Sequence, residues 1–209
     1  MESYSSAFVA GRIVSPITED HTIYGETFYA SKIQVQRLSG TCDTLPITIP
    51  GRLLADVNPE MLAAPVSLSG HIRSYTKTVD GQNRMAVTLF VRSIMAADEK
   101  DGRNEINVCG TICKQPVYRL TPFGREICDL MVAVNRNYSK SDYIPCIVWG
   151  RNASWATGLK IGDHVRLSGR MQSREYDKLT DSGEYTTRTA YELSAHLIEK
   201  VYEIERDVV

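Results

Sequence analysis

Long apolar runs are missing from this 209-residue sequence. No stretch is long enough to span a bilayer, and the first residues show no basic-then-apolar signal. A soluble, cytoplasmic protein is the expectation. An excess of one charge is missing as well. Lys+Arg total 24 against 25 Asp+Glu, a net charge of −1, so no global field argues for a highly charged partner. Cysteine is sparse and unpatterned. Cys42, Cys109, Cys113, Cys128 and Cys146 form no Cys-x-x-Cys, and no histidine stands at zinc-finger spacing. Reduced core thiols are predicted, with no metal. Enzyme signatures are absent too: no Walker-type glycine loop with its lysine, no His-Glu-x-x-His and no Gly-x-Ser-x-Gly. His21, His71, His164 and His196 are dispersed. No catalytic residue and no cofactor are expected.

What is present is an internal repeat, which decides architecture before anything else. Subtracting 99 from positions in the second half places Val108 on Val9, Gly110 on Gly11 and Ile112 on Ile13. Gly124 falls on Gly25, Arg136 on Arg37, Pro145 on Pro46 and Gly150-Arg151 on Gly51-Arg52. Val165, Leu167, Ser168 and Gly169 fall on Val66, Leu68, Ser69 and Gly70. Later the offset becomes 104, with Arg188 on Arg84. The predicted domains are 1–98 and 105–202, joined by a polar linker at 99–104 and followed by a short tail at 203–209. The first domain carries 8 Lys/Arg and 9 Asp/Glu, the second 13 and 11. That difference favours the second half as the side for an anionic ligand.

Each copy reads as mainly β. Residues 165–174 alternate, with Val165, Leu167, Gly169 and Met171 on one face and Arg166, Ser168, Arg170, Gln172 and Arg174 on the other. Strands are also predicted at 106–118, 130–136, 143–150 and 184–202. Turn residues fall between them at Thr121-Pro-Phe-Gly124, Gly162-Asp163 and Asp181-Ser-Gly183. One short helix fits 152–160. The first copy has a helix candidate after Gly51 that must contend with Pro59. The fold class is therefore all-β: two tandem five-stranded OB-fold Greek-key barrels, each with a short helix between strands 3 and 4.

The second half resembles the bacterial single-stranded DNA-binding protein (SSB) family over roughly 105–200. The matching pieces are Val108-Cys-Gly-Thr-Ile112, Thr121-Pro-Phe-Gly124, Ala133-Val-Asn-Arg136, Asp142-Tyr-Ile-Pro-Cys-Ile-Val-Trp-Gly-Arg151, Leu159-Lys-Ile-Gly-Asp163, Val165-Arg-Leu-Ser-Gly-Arg170 and Ser173-Arg-Glu-Tyr176. Their order and spacing carry the resemblance. It implies sequence-independent binding and protection of single-stranded DNA in replication, recombination or repair. Tyr143, Trp149, Tyr176 and, nearby, Tyr138 would stack bases. A single strand offers phosphates and base faces, so cations must run beside the aromatics. Arg166, Arg170 and Arg174 share the outer face of one strand and are the first candidates, with Arg136 and Arg151 at strand ends behind them.

The first copy departs from this set. Tyr143 becomes Thr44, Trp149 becomes Pro50, Tyr138 becomes Ser39 and Tyr176 becomes Lys77. A structural or weakly binding barrel is expected there; Tyr24, Phe28 and Tyr29 are as well explained by packing. The family's Gly/Pro/Gln-rich linker and phenylalanine-ending acidic tip are not matched by Tyr202-Glu-Ile-Glu-Arg-Asp-Val-Val209. That puts tail-mediated recruitment of repair enzymes in doubt. Two barrels per chain predict a homodimer that forms a pseudo-tetramer of OB domains. The competing reading is an OB-fold accessory or protein-interaction module of a primosome or mobile element, with weak DNA binding.

Overall fold

A computed structural model describes residues 2–79, 81–98, 101–137, 139–179 and 183–202. Tyr138, the tail 203–209, linker residues 99 and 100 and the turn residues 181 and 182 lie outside the described set. The described residues form twelve strands and three short helices. The first six strands are β1 (Tyr4–Ile13), β2 (Thr18–Ile23), β3 (Glu26–Gln36), β4 (Cys42–Pro50), β5 (Val66–Val79) and β6 (Gln82–Ala96). The second six are β7 (Asn104–Ile112), β8 (Val117–Leu120), β9 (Glu126–Arg136), β10 (Lys140–Trp149), β11 (His164–Leu179) and β12 (Tyr185–Lys200). Helices α1 (Gly51–Ala55) and α2 (Pro59–Ala63) follow β4, and α3 (Arg151–Ala156) follows β10.

Alternation of apolar and polar residues makes the barrel strands one-sided. Val165, Leu167 and Met171 of β11 are buried, while Arg166 and Arg170 remain partly exposed. In each half five strands close on themselves. Strand β1 pairs β3 and β5, β3 pairs β4, β4 pairs β6 in parallel, and β6 pairs β5. Strands β7, β9, β10, β12 and β11 repeat that circuit. The apolar faces meet inside each barrel, around Ile33, Leu45, Ile47 and Leu68 in one and Ile112, Ile144, Leu167 and Leu193 in the other.

Three local readings are adjusted. The single strand expected over 106–118 is broken. Pro116 has no N–H for a ladder, so β7 stops at Ile112 and the chain restarts outside the barrel as β8, paired to β9. Strand β2 does the same in the first copy, so each five-stranded barrel carries an extra outer strand. The first-copy helix is split. Pro59 opens α2 at a position that needs no N–H, and the Asn58 side chain accepts from the Glu60 amide at 3.0 Å. The helix expected over 152–160 is shorter, ending at Ala156.

Both barrels bulge at the same place, between Ser69 and Gly70 and between Ser168 and Gly169. A Cβ at Gly70 would collide with the Phe90 carbonyl oxygen, and one at Gly169 with that of Ser194. Only glycine lets the strands approach so closely there.

The barrels join through β1 and β7, antiparallel from Tyr4↔Cys109 to Val9↔Asn104. Ala7 pairs with Ile106, and 106 − 99 = 7, so at this one point of the ladder a residue meets its own repeat equivalent, with the others arranged symmetrically about it. The contact is a pseudo-two-fold, isologous one within a single chain. The connection also packs onto the first barrel: the Arg103 carbonyl accepts from the Ala10 amide at 2.8 Å, and its guanidinium lies 4.3 Å from the Phe8 ring centre.

Candidate nucleic-acid interface

Trp149 ends β10, just before the turn into α3. Its ring is partly exposed, and its indole Nε1 donates to Ser194 Oγ at 3.0 Å. Grooves open on both sides of it. One is bordered by Leu120 and Arg125, the other by Asn152, Arg170 and His196. A tryptophan held by its N–H with a ring face at a groove is suited to stacking a planar group.

Tyr143 shares the outer side of β10 with Trp149, six residues away, which is about 20 Å along a strand. It is 48% exposed. Tyr176 stands on the long β11–β12 arm, across from Arg188, with the Arg174 guanidinium 5.6 Å from its ring centre. The three described aromatics therefore occupy three stations along the barrel rather than one pocket.

The arginines are less free than their strand positions suggest. Arg170 Nη1 donates to Asp43 Oδ2, across the barrel boundary, at 2.8 Å, and its Nη2 donates to Gln172 Oε1 at 3.2 Å. Burial is the main force lowering its pKa, and the nearby Arg37 charge adds to it. Arg136 Nε is 3.1 Å from Asp142 Oδ2. Arg174 Nε is 3.5 Å from Glu192 Oε1, and Arg166 Nη1 is 3.9 Å from Glu199 Oε2. Arg151, at the start of α3, is exposed and forms no ion pair among the described residues. Only Arg151 presents an unpaired guanidinium within this set.

Sequence reasoning missed the carboxylates that hold these arginines. Asp142 is 1% exposed and lies on β10 beside Tyr143. Its Oδ1 accepts from the Ser74 amide of the first barrel at 2.8 Å, and its Oδ2 accepts from Arg73 at 3.0 Å. Ser74 Oγ in turn accepts from the Tyr143 amide at 2.7 Å. The mirror arrangement surrounds Asp43, also 1% exposed. It accepts from the Ser173 amide at 3.0 Å, from Arg170 and from Arg37, and Ser173 Oγ accepts from the Thr44 amide at 3.1 Å. The offset of 99 relates Asp142 to Asp43, Ser173 to Ser74, Tyr143 to Thr44 and Arg136 to Arg37. That offset was the available signal: a repeated aspartate and serine, aligned without gaps. Two buried carboxylates thus clamp the barrels, and the first barrel holds the backbone of Tyr143.

Among the described residues no helix is long and apolar enough to cross a membrane, and no group of three or more His, Cys, Asp or Glu is placed to hold a metal ion.

Residues 103–201 match the model of the Single-strand binding protein family. A "Single-stranded DNA-binding protein" of Clostridium tetani is 33% identical over 91 residues, which are 40% of this chain and 63% of that protein. "Single-stranded DNA-binding protein 2" of Clostridium acetobutylicum is 32% identical over 96 residues, 43% of this chain and 72% of that one. The chain therefore spans less than two thirds of the Clostridium tetani relative's own length. The wild-type single-stranded DNA binding protein from Thermus aquaticus superposes with a TM-score of 0.75 at 18% identity, covering 97% of this chain and 95% of that one. The sequence match covers the second barrel; the likeness of fold covers both.

Proposed function

This chain belongs to the single-strand binding protein family, and we propose that it binds and protects single-stranded DNA, without regard to sequence, in replication, recombination or repair. The family is one of binding proteins rather than enzymes. The observation that carries the reading is Trp149: partly exposed, fixed through Ser194 and flanked by grooves with Arg125 and Arg170 on their borders. Tyr143 and Tyr176 extend the stacking surface, and Arg151 and Arg174 supply phosphate contacts. Arg136 and Arg170 act chiefly in the clamps, and Arg166 lies beside Glu199.

Titration of oligo-dT into a Trp155→Phe protein tests this directly. Trp155 is 47% exposed and would otherwise add its own signal. Trp149 fluorescence should be quenched, and affinity should fall as salt rises. Absence of quenching would turn the assignment towards an accessory protein-interaction module, a reading that the paired arginines favour.

Two copies of the chain are proposed to assemble as a homodimer, bringing four OB barrels around one strand. Light scattering at micromolar concentration checks it; a monomer both with and without oligo-dT rules it out. A cytoplasmic location accompanies this reading and suits five cysteines that all remain free.

A further inference from the structure

The place that Trp149 occupies in the second barrel is rebuilt in the first with other rings. Register identifies the equivalents. Trp149 pairs with Ile127 as Pro50 pairs with Phe28, and Ser194 pairs with Ile147 as Phe90 pairs with Thr48. Where the second barrel has one large aromatic beside Ile127 and Ser194, the first has a small Pro50 beside Phe28 and Phe90. A register shift in β2 between Glu19 and His21 then sets His21 opposite Phe28. The His21 and Phe28 rings stack with centroids 4.9 Å apart at 15°, and Phe90 follows at 5.8 Å from Phe28. The His21 side chain is 43% exposed, and Phe28 and Phe90 are partly exposed.

Charge accompanies these rings. The Arg73 guanidinium lies 5.8 Å from the Phe90 ring centre, and it donates to Asp142 in the second barrel. Arg92 and Arg136 are close enough to disfavour its protonation electrostatically, alongside the larger effect of burial. Three guanidiniums thus lie at the Asp142 end of the row, and at its other end Asp20 Oδ2 stands 2.8 Å from His21 Nδ1. Asp142 immediately precedes Tyr143, which faces outward. The row of rings in the first barrel therefore runs towards an exposed aromatic of the second.

We propose that His21, Phe28 and Phe90, with Arg73, form a second stacking platform for unpaired bases, continuous with Tyr143, so that one strand is held by both barrels. This rests on the single-strand reading above and revises the expectation that the first barrel is structural or weakly binding. Exposed aromatic rings with adjacent arginines are the combination that sequence-tolerant strand binding uses. The first barrel lost the tryptophan position but kept an aromatic surface at the same site, supplied by neighbouring strands.

The test uses the full chain carrying Trp155→Phe. Phe28→Ile and Phe90→Ser together install the second barrel's own residues. Oligo-dT of about 10 nucleotides suits one barrel, and about 30 suits two. The double variant should bind the longer oligonucleotide about ten-fold more weakly, with binding of the shorter one and its Trp149 quenching unchanged. Equal affinity of both proteins for the longer oligonucleotide overturns the proposal. Loss of Trp149 quenching in the parent protein instead overturns the single-strand reading itself. Photocrosslinking of 5-iodouracil oligonucleotides to the parent protein needs no variant to fold. Adducts at His21, Phe28 or Phe90 support the platform; adducts confined to the second barrel refute it.

Discussion

The two barrels are alike where they touch each other and unlike where they face solvent. At the shared boundary Asp43 and Asp142, and Ser74 and Ser173, make the same contacts in mirror positions, and Arg37 and Arg136 each lie against the aspartate of their own barrel. On the outer face Trp149 and Ser194 stand against Pro50 and Phe90, and Ile127 against Phe28. A buried carboxylate with fixed donors tolerates little change, because any lost partner leaves an uncompensated charge or amide. An exposed ring can be moved to a neighbouring strand at small cost to folding. The molecule therefore keeps its symmetry in the clamp and confines its divergence to the solvent side.

The strongest way to break this comparison is to remove the clamp. Asp142→Ala should lower stability by about 3 kcal/mol, and Asp43→Ala by a similar amount, because each strands two arginines and a buried amide. Urea unfolding measures both; a large loss for one and none for the other would show that the mirror contacts are unequal. Gly70→Ala and Gly169→Ala come next, each costing about 2 kcal/mol as a Cβ is driven into the facing carbonyl. Thermal midpoints should fall together in the two variants.

Smaller effects probe the solvent side. Arg151→Ala should make the salt dependence of oligo-dT binding shallower by about 0.7 in log–log slope, the share of one phosphate contact on a single strand. Arg170→Ala should leave that slope unchanged while reducing stability, since its charge is engaged by Asp43. Equal slope changes in both would mean that Arg170 leaves its carboxylate for phosphate. The smallest expected effect is in thiol labelling. Cys42 of the first barrel is exposed, whereas Cys109, Cys128 and Cys146 of the second are buried, with burial pushing their thiols up. Iodoacetamide should modify Cys42 first. In mild urea the buried three should react only at the rate of global opening if the clamp makes the barrels unfold as one.

Legibility differed by type of interaction. Turn residues, alternation and the offset of 99 are local or repeated patterns, and they read out the strands, the barrels and their tandem order. Pro116 and Pro59 also act locally, and their effects on β8 and α2 follow from a missing N–H. The arginines read differently. On sequence alone Arg166, Arg170 and Arg174 are alike as cations on one outer face, and Arg136 is a further cation at a strand end. Their carboxylate partners lie from 6 to 127 positions away, and no periodicity names a partner.

The sequence by itself determined a repeated all-β chain with Trp149, Tyr143 and Tyr176 in its second copy, because side-chain alternation and turn chemistry act over a few residues. Only the tertiary structure decided which arginines are free, that the first barrel holds Tyr143 through Ser74, and that His21, Phe28 and Phe90 meet. Those outcomes depend on strand register and barrel closure. They bring together residues from distant strands whose positions along the chain say nothing of their distance in space.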